Sequence, residues 1–156
     1  MEEPTEQGWL RVVAEAPVGH LATRRGDGRI DLVPFVFAWL EGPGPLGRLV
    51  SAVDHKAKRS TELRRFANVA DEPEVTVMVD HYNADWSTLW WVRLRGLAHR
   101  ESQVAERAQA VAALVTKYGQ YRRQAPAGHV LVIQLTELVG WSAGGVLPAA
   151  GGEAAT

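Results

Sequence analysis

The sequence predicts a small antiparallel barrel of the mainly-β, α+β kind, with six strands and three helices between and around them. Apolar runs come in pairs across tight turns: residues 18–23 and 30–39 flank RRGDGR, and 74–81 and 88–100 flank NADWS, which is hairpin order. No Gly-rich turn joins a strand to a helix in a βαβ unit, so GDG at 26–28 and GPGPLG at 42–47 read as a turn and a loop, and a dinucleotide site of the doubly wound type is excluded. At 156 residues, 46% of them apolar, the chain builds one core and therefore one domain, residues 1–148, followed by a small, polar tail at 149–156 expected to be disordered.

The elements follow in order. Trp9, Leu10, Val12, Val13 and Ala16 recur at helical spacing, with Thr5 as cap and Pro17 as stop, and predict a helix over 5–15 that lids the barrel. Pro34 lacks the N–H a sheet ladder needs, so the strand at 30–39 is bulged there or lies at an edge. A third strand at 48–54 runs into a helix at 61–70, closed by DEP. The 101–118 segment is an amphipathic helix ended by Gly119 in a left-handed cap, QYRRQAPAG is a surface connection, and 129–138 is the last strand before a GWSAGG tail.

Chemistry concentrates at LVSAVDHKAKRSTELRR, residues 49–65. An apolar strand enters a loop carrying His55, Lys56, Lys58 and Arg59, and Ser60 and Thr61 then stand at the N-cap of a helix. Point charges and uncapped amides at one junction suit a phosphate or a similar anion; the same cations would also serve as ordinary solvated side chains. Total charge offers no help. Seventeen basic against eighteen acidic residues leave no surplus of the kind that binds nucleic acid, and no partner of that class is expected.

The strand at 88–100 splits by period two into a core face of Trp90, Val92, Leu94, Gly96 and Ala98 and an outer face of Trp91, Arg93, Arg95 and Leu97. A bare Trp beside two guanidinium groups predicts cover, either from a second subunit or from a ring-shaped anionic ligand; a cleft between subunits satisfies both. Trp86, Trp90 and Trp91, near His81, Tyr82 and Asp85, suggest an aromatic wall, although core or interface packing explains each Trp singly. Arg122 and Arg123 are read as solvated, within reach of a long acidic tail on a ligand.

Several classes drop out. Without cysteine there is no thiolate nucleophile, disulfide or Cys-bound metal, and the histidines at 20, 55, 81, 99 and 129 lack the paired spacing of a metal site. No GxSxG elbow is present. The acidic start MEEPTEQGW lacks the features of a secretory signal, and no apolar run is long enough to span a membrane, so a soluble cytoplasmic protein is expected.

The segments VGHLATRRGDGRIDLVPFVFAW, LVSAVDHKAKRSTELRRFANV, VTVMVDHY and DWSTLWWVRLRG together resemble the pyridoxamine-phosphate-oxidase-like split β-barrel family. Within it, DHYNADWSTLWWVR and the terminal GWSAG resemble the branch of coenzyme F420-dependent oxidoreductases. The resemblance implies a six-stranded split barrel that forms a homodimer with cofactor clefts between its subunits. It implies that Lys56, Lys58 and Arg59 hold the cofactor phosphate, that its ring lies against the backbone of Val33, Pro34, Phe35 and Val36 and of Ser51, Ala52 and Val53, and that Trp86, Trp91 and Trp141 of a partner close the cleft. Reduced F420 would pass hydride to a small unsaturated or quinone-like substrate, with the proton from water, His55 or Tyr82. FMN with a pyridoxamine-type substrate, or a non-catalytic barrel that binds a cofactor or haem, are the alternatives. Asp80 and Asp85 receive no role from the resemblance.

Overall fold

The structure, a computed structural model, describes residues 3–53 and 60–149, with side chains of the second segment from residue 64 onward. Seven strands form one antiparallel sheet, β1 (Gly19–Arg24), β2 (Ile30–Phe35), β3 (Ala38–Leu40), β4 (Arg48–Ala52), β5 (Glu74–His81), β6 (Trp90–Arg100) and β7 (Val130–Ser142), in the spatial order β2-β1-β5-β6-β7-β4-β3. β2 and β3 occupy opposite edges, yet only Val36 and Phe37 separate them in sequence. Laid flat, seven strands would span roughly 29 Å, whereas that link reaches at most roughly 11 Å. The sheet must therefore curl until its edges approach, which is a split barrel.

The predicted 30–39 strand is thus two strands, and the count is seven instead of six. Pro34 sits in β2, an edge strand as expected, but the break comes two residues later. Its cause lies far along the chain. The hydroxyl of Tyr118 accepts from the Phe37 amide at 3.1 Å and lies 2.9 Å from the Phe37 carbonyl, the Lys117 ammonium donates to that carbonyl at 2.8 Å, and the Ser51 hydroxyl donates to the Val36 carbonyl at 2.8 Å. Side chains supply what a neighbouring strand would have given, so the backbone can leave one edge for the other without orphaned polar groups.

The barrel interior holds the main core, including Leu21, Phe37, Leu49, Val77, Leu94 and Ile133. α1 (Glu6–Glu15), capped by Thr5, whose hydroxyl accepts from the Gly8 amide at 2.9 Å, inserts Trp9, Leu10, Val12 and Val13 into it. Trp9 rests on Gly140, where any Cβ would overlap the indole. α2 (Ser60–Asp71) brings Val69 and Phe66 to the same core. α3 (Val104–Lys117) packs Ala110 and Leu114 outside the barrel against Ala38, Val50, Val130 and Val132. It ends at Tyr118, whose extended backbone turns directly into a short α4 (Gly119–Arg123); Gly119 is not a left-handed cap, and part of the expected surface connection is helical. Arg122 donates to the Thr116 carbonyl at 2.9 Å and so caps α3.

β7 runs to Ser142, so GWS belongs to the strand and not to a tail. Opposite the Arg95–Gly96 step of β6 it carries one extra residue, Thr136, because Arg95 pairs with Glu137 and Gly96 with Leu135. This bulge reverses the alternation. Before it Leu131, Ile133 and Leu135 face the core; after it Leu138 and Gly140 do, and Val139 and Trp141 turn outward. Gly96 permits the close approach, since a Cβ there would lie 2.5 Å from the Gln134 carbonyl oxygen. Of the expected tail at 149–156, all but Ala149 lies outside the described residues.

Candidate functional site

The loop of His55, Lys56, Lys58 and Arg59 lies outside the described residues, and so do the side chains of Ser60 and Thr61. Its surroundings are well defined. β4 delivers the chain into it through Ser51, Ala52 and Val53, of which Ser51 and Val53 are buried, and the Val53 amide is tied to the His129 carbonyl at 2.9 Å. The Ser51–Val36 hydrogen bond joins this end of β4 to the end of β2, so the two segments expected to flank a cofactor ring, 33–36 and 51–53, are neighbours. β2 is an edge strand, which leaves one row of its backbone groups without a strand partner, and Pro34 contributes no N–H to it.

Beyond the loop, α2 is fixed by a polar network that motif reading does not find. Buried Asn68 donates from Nδ2 to Thr23 Oγ1 and to Asp31 Oδ2, both at 2.9 Å. Arg25 forks onto the same carboxylate, Nε at 2.9 Å from both oxygens and Nη2 at 2.7 Å from Oδ1. Hydrogen bonds from Arg25 first and Asn68 second pull the Asp31 carboxyl down to about 2. β4 is therefore tied down at Val53, and α2 is held to the β1–β2 hairpin through Asn68.

The aromatic residues form a separate wall. Trp91 pairs across β6–β7 with Trp141, and both lie on the outer face. The Arg93 guanidinium stands 5.9 Å from the Trp91 ring centroid, and its buried Nε has no hydrogen-bond partner among the described residues. An orphaned donor beside two indoles is the kind of group that an anionic ring compound or a carboxylate of another chain would satisfy. Trp86, 77% exposed, and Tyr82, 64% exposed, stand on the β5–β6 hairpin. In one chain this wall lies on β6 and the far end of β7, away from the β4 end of the sheet, so the nominated residues fall into two groups.

Asp85 has a local task. Its Oδ1 accepts from the Ser87 amide at 3.1 Å and the Ser87 hydroxyl at 2.6 Å, capping the single 3-10 turn Trp86–Thr88, and these bonds lower its pKa. Asn83 Oδ1 accepts from the Asp85 amide at 2.9 Å. The polar run of NADWST thus holds up the turn that presents Trp86. Among the described residues no three His, Asp or Glu side chains gather as a metal site would require, and no helix is long and apolar enough to cross a membrane.

A curled antiparallel sheet with helices at its ends and on one flank defines a split-barrel protein. The pyridoxamine 5'-phosphate oxidase family matches residues 6–142, nearly the whole chain, and the chain belongs to that family. No curated protein matches it. Among solved structures, a conserved hypothetical protein of Mycobacterium tuberculosis superposes with a TM-score of 0.71 at 16% identity, over 91% of this chain and 87% of that one. A FAD-binding protein of Mycobacterium smegmatis gives 0.60 at 14%, over 90% and 97%. The haem storage protein HutZ of Vibrio cholerae gives 0.64 at 17%, over 91% and 95%. At these identities the likeness is one of fold.

Proposed function

We propose that the chain is a homodimeric oxidoreductase that uses the deazaflavin coenzyme F420, gripping its phosphate with Lys56, Lys58 and Arg59 and holding its ring between subunits. The observation that carries this is the division of the nominated residues into two groups. One lies where β2 and β4 meet beside the basic loop; the other is the Trp91–Trp141 wall with the unsatisfied Arg93 Nε. A second copy brings such groups together, as clefts at subunit boundaries commonly do. The run from Asp80 to Arg93 resembles the F420-using branch and favours that coenzyme over FMN.

Reduced F420, when bound, would supply hydride for an electron-poor double bond or quinone. The chain's own residues bind and orient. Lysines and Arg59 neutralise phosphate charge, the rigid β2 and β4 backbone fixes the ring plane, and the indoles exclude water from its face. Tyr82 and His55 are the side chains nominated to carry the proton.

Parallel titrations of the pure protein with F420, FMN, FAD and haem test the reading. F420 should bind with the lowest Kd. Lys56→Ala with Lys58→Ala should weaken it, each lost charge-assisted bond removing about 1.5–3 kcal/mol. Tighter binding of FMN or FAD would assign a flavin instead, as in the FAD-binding protein of M. smegmatis; a Soret band with haem would point toward the HutZ type of role. Unchanged F420 affinity in the double variant would overturn the phosphate assignment.

A further inference from the structure

A cleft of about 710 Å³ opens between the C-terminal turn of α1, the start of β6 and the segment that follows β7. That volume suits a small organic molecule. Three adjacent strands present a row of side chains to it: His81 of β5 pairs with Trp90 of β6, which pairs on its other side with Ser142 of β7. Val79, Val92 and Gly140, each two residues away along its strand, face the barrel interior, so the whole row points to that same side, toward α1. Asp80, opposite Trp91, and His20, opposite Met78, also border the cleft but project from the other face of the sheet. Ala16, Leu89 and Leu147 make an apolar wall around the row. Ser142 stands at the end of β7 remote from Val130, which pairs with Ala52 just before the basic loop, so the cleft is separate from that loop.

Part of the row's hydrogen-bonding capacity is already spent. Asn83 Oδ1 accepts from the Asp85 amide at 2.9 Å, which turns Asn83 Nδ2 toward His81 Nε2, also at 2.9 Å. An amide nitrogen only donates, so Nε2 accepts, the imidazole is neutral and its hydrogen sits on Nδ1. That Nδ1–H has no partner among the described residues. On the far side of Trp90, the Ser142 hydroxyl gives its hydrogen to the Val146 carbonyl at 2.7 Å and keeps a lone pair to accept with. The carboxylate of Glu15, on the α1 side, is paired with Arg11 at 3.4 Å. An ion on this face would shed water without finding a counter-charge, whereas a neutral group that both accepts and donates would satisfy the two ends of the row.

We propose that this cleft binds an uncharged aromatic carboxamide, its ring on Trp90, its carbonyl accepting from His81 Nδ1–H and its N–H donating to Ser142 Oγ. The site is made by one chain and involves no redox cofactor. Three probes that share a ring test it: 2-naphthamide, 2-naphthoate and 2-naphthylmethylammonium, titrated into the ¹⁵N-labelled full chain and followed by amide and indole shifts. Naphthamide should shift Leu89, the Trp90 indole and Leu147 and bind about ten-fold more tightly than either ion, because an unpaired charge is costly to desolvate. His81→Phe should lower its affinity about five-fold, the size of one hydrogen bond, and leave the binding of 2-methylnaphthalene unchanged. Asp80→Asn, on the other face, should change neither. Comparable or tighter binding of either ion, shifts elsewhere in the barrel, an unchanged naphthamide affinity in His81→Phe, or a loss there that 2-methylnaphthalene shares equally would overturn the proposal.

Discussion

At the scale of single residues, the chain places its most constrained ion pair where it carries architecture instead of chemistry. Asp31 alternates with exposed Ile30 and Leu32 on an edge strand, so its carboxylate points away from their face and toward α2. There Arg25 and Asn68 stabilise the charged form, and the folded pKa falls from 3.8 to about 2. Between those values the unfolded chain binds more protons, so the stabilisation is complete above about pH 4 and is lost as pH falls toward 2. Comparing acid unfolding of the wild type and Asp31→Asn isolates this contribution: the variant should be less stable at pH 7 and should lose less stability between pH 4 and 2. Parallel acid limbs would show that the pair adds nothing. The network was not legible in the sequence, because Thr23, Asp31 and Asn68 are ordinary residues of a strand, a strand and a helix until the fold joins them.

Elements were legible where their signals are local. The two hairpins, the Thr5 cap and the edge position of Pro34 follow from turn residues, capping geometry and a missing N–H, each settled within a few positions. The break after Phe35 and the bulge at Thr136 were hidden, since their causes lie on other elements. The first depends on Lys117 and Tyr118, some eighty residues downstream; the second depends on Gly96 admitting the β7 backbone. Lys117, pressed over the Phe37 ring at 4.1 Å and tied to the Ala16 and Phe37 carbonyls, is desolvated enough that its pKa drops to about 8. Tyr118→Phe tests how much the break relies on this support. Removing the hydroxyl leaves the buried Phe37 amide without its acceptor, a loss of about 1–3 kcal/mol, and the urea midpoint should fall by that loss divided by an unchanged m-value. An unmoved midpoint would show that the kink holds itself. The same distinction covers the candidate site: the β2 and β4 segments could be nominated from local pattern, while the outward turn of Trp141 depends on a bulge that no period-two reading contains.

For the whole molecule, the decisive asymmetry lies between the two halves of the sheet's outer face. α3 covers β3, β4 and the start of β7, whereas among the described residues no helix packs on the outer face of β2, β1, β5 and β6. That bare half is not a solvent-adapted surface. Ile30 and Leu32 are 63% and 68% exposed, and Trp141, Leu97, Met78 and Val139 share the face with them. Arg93 and Arg95 stand among them with Asp80 and Glu137, so the patch carries both signs and can complement itself across a two-fold axis. The proposed second copy would cover the exposed apolar area and the open β2 edge and offer an acceptor to the Arg93 Nε. Leu32→Asp with Trp91→Ala should therefore yield a monomer in sedimentation velocity, with the circular dichroism of the wild type because neither side chain supports the core. A carboxylate forced into an apolar contact without a partner is strongly opposed, and the indole supplies much of the area lost. If the cleft is shared, F420 affinity should collapse in this variant even though Lys56, Lys58 and Arg59 are intact. A dimer that persists would place the interface elsewhere, and a monomer that still binds the coenzyme with full affinity would make the site complete within one chain.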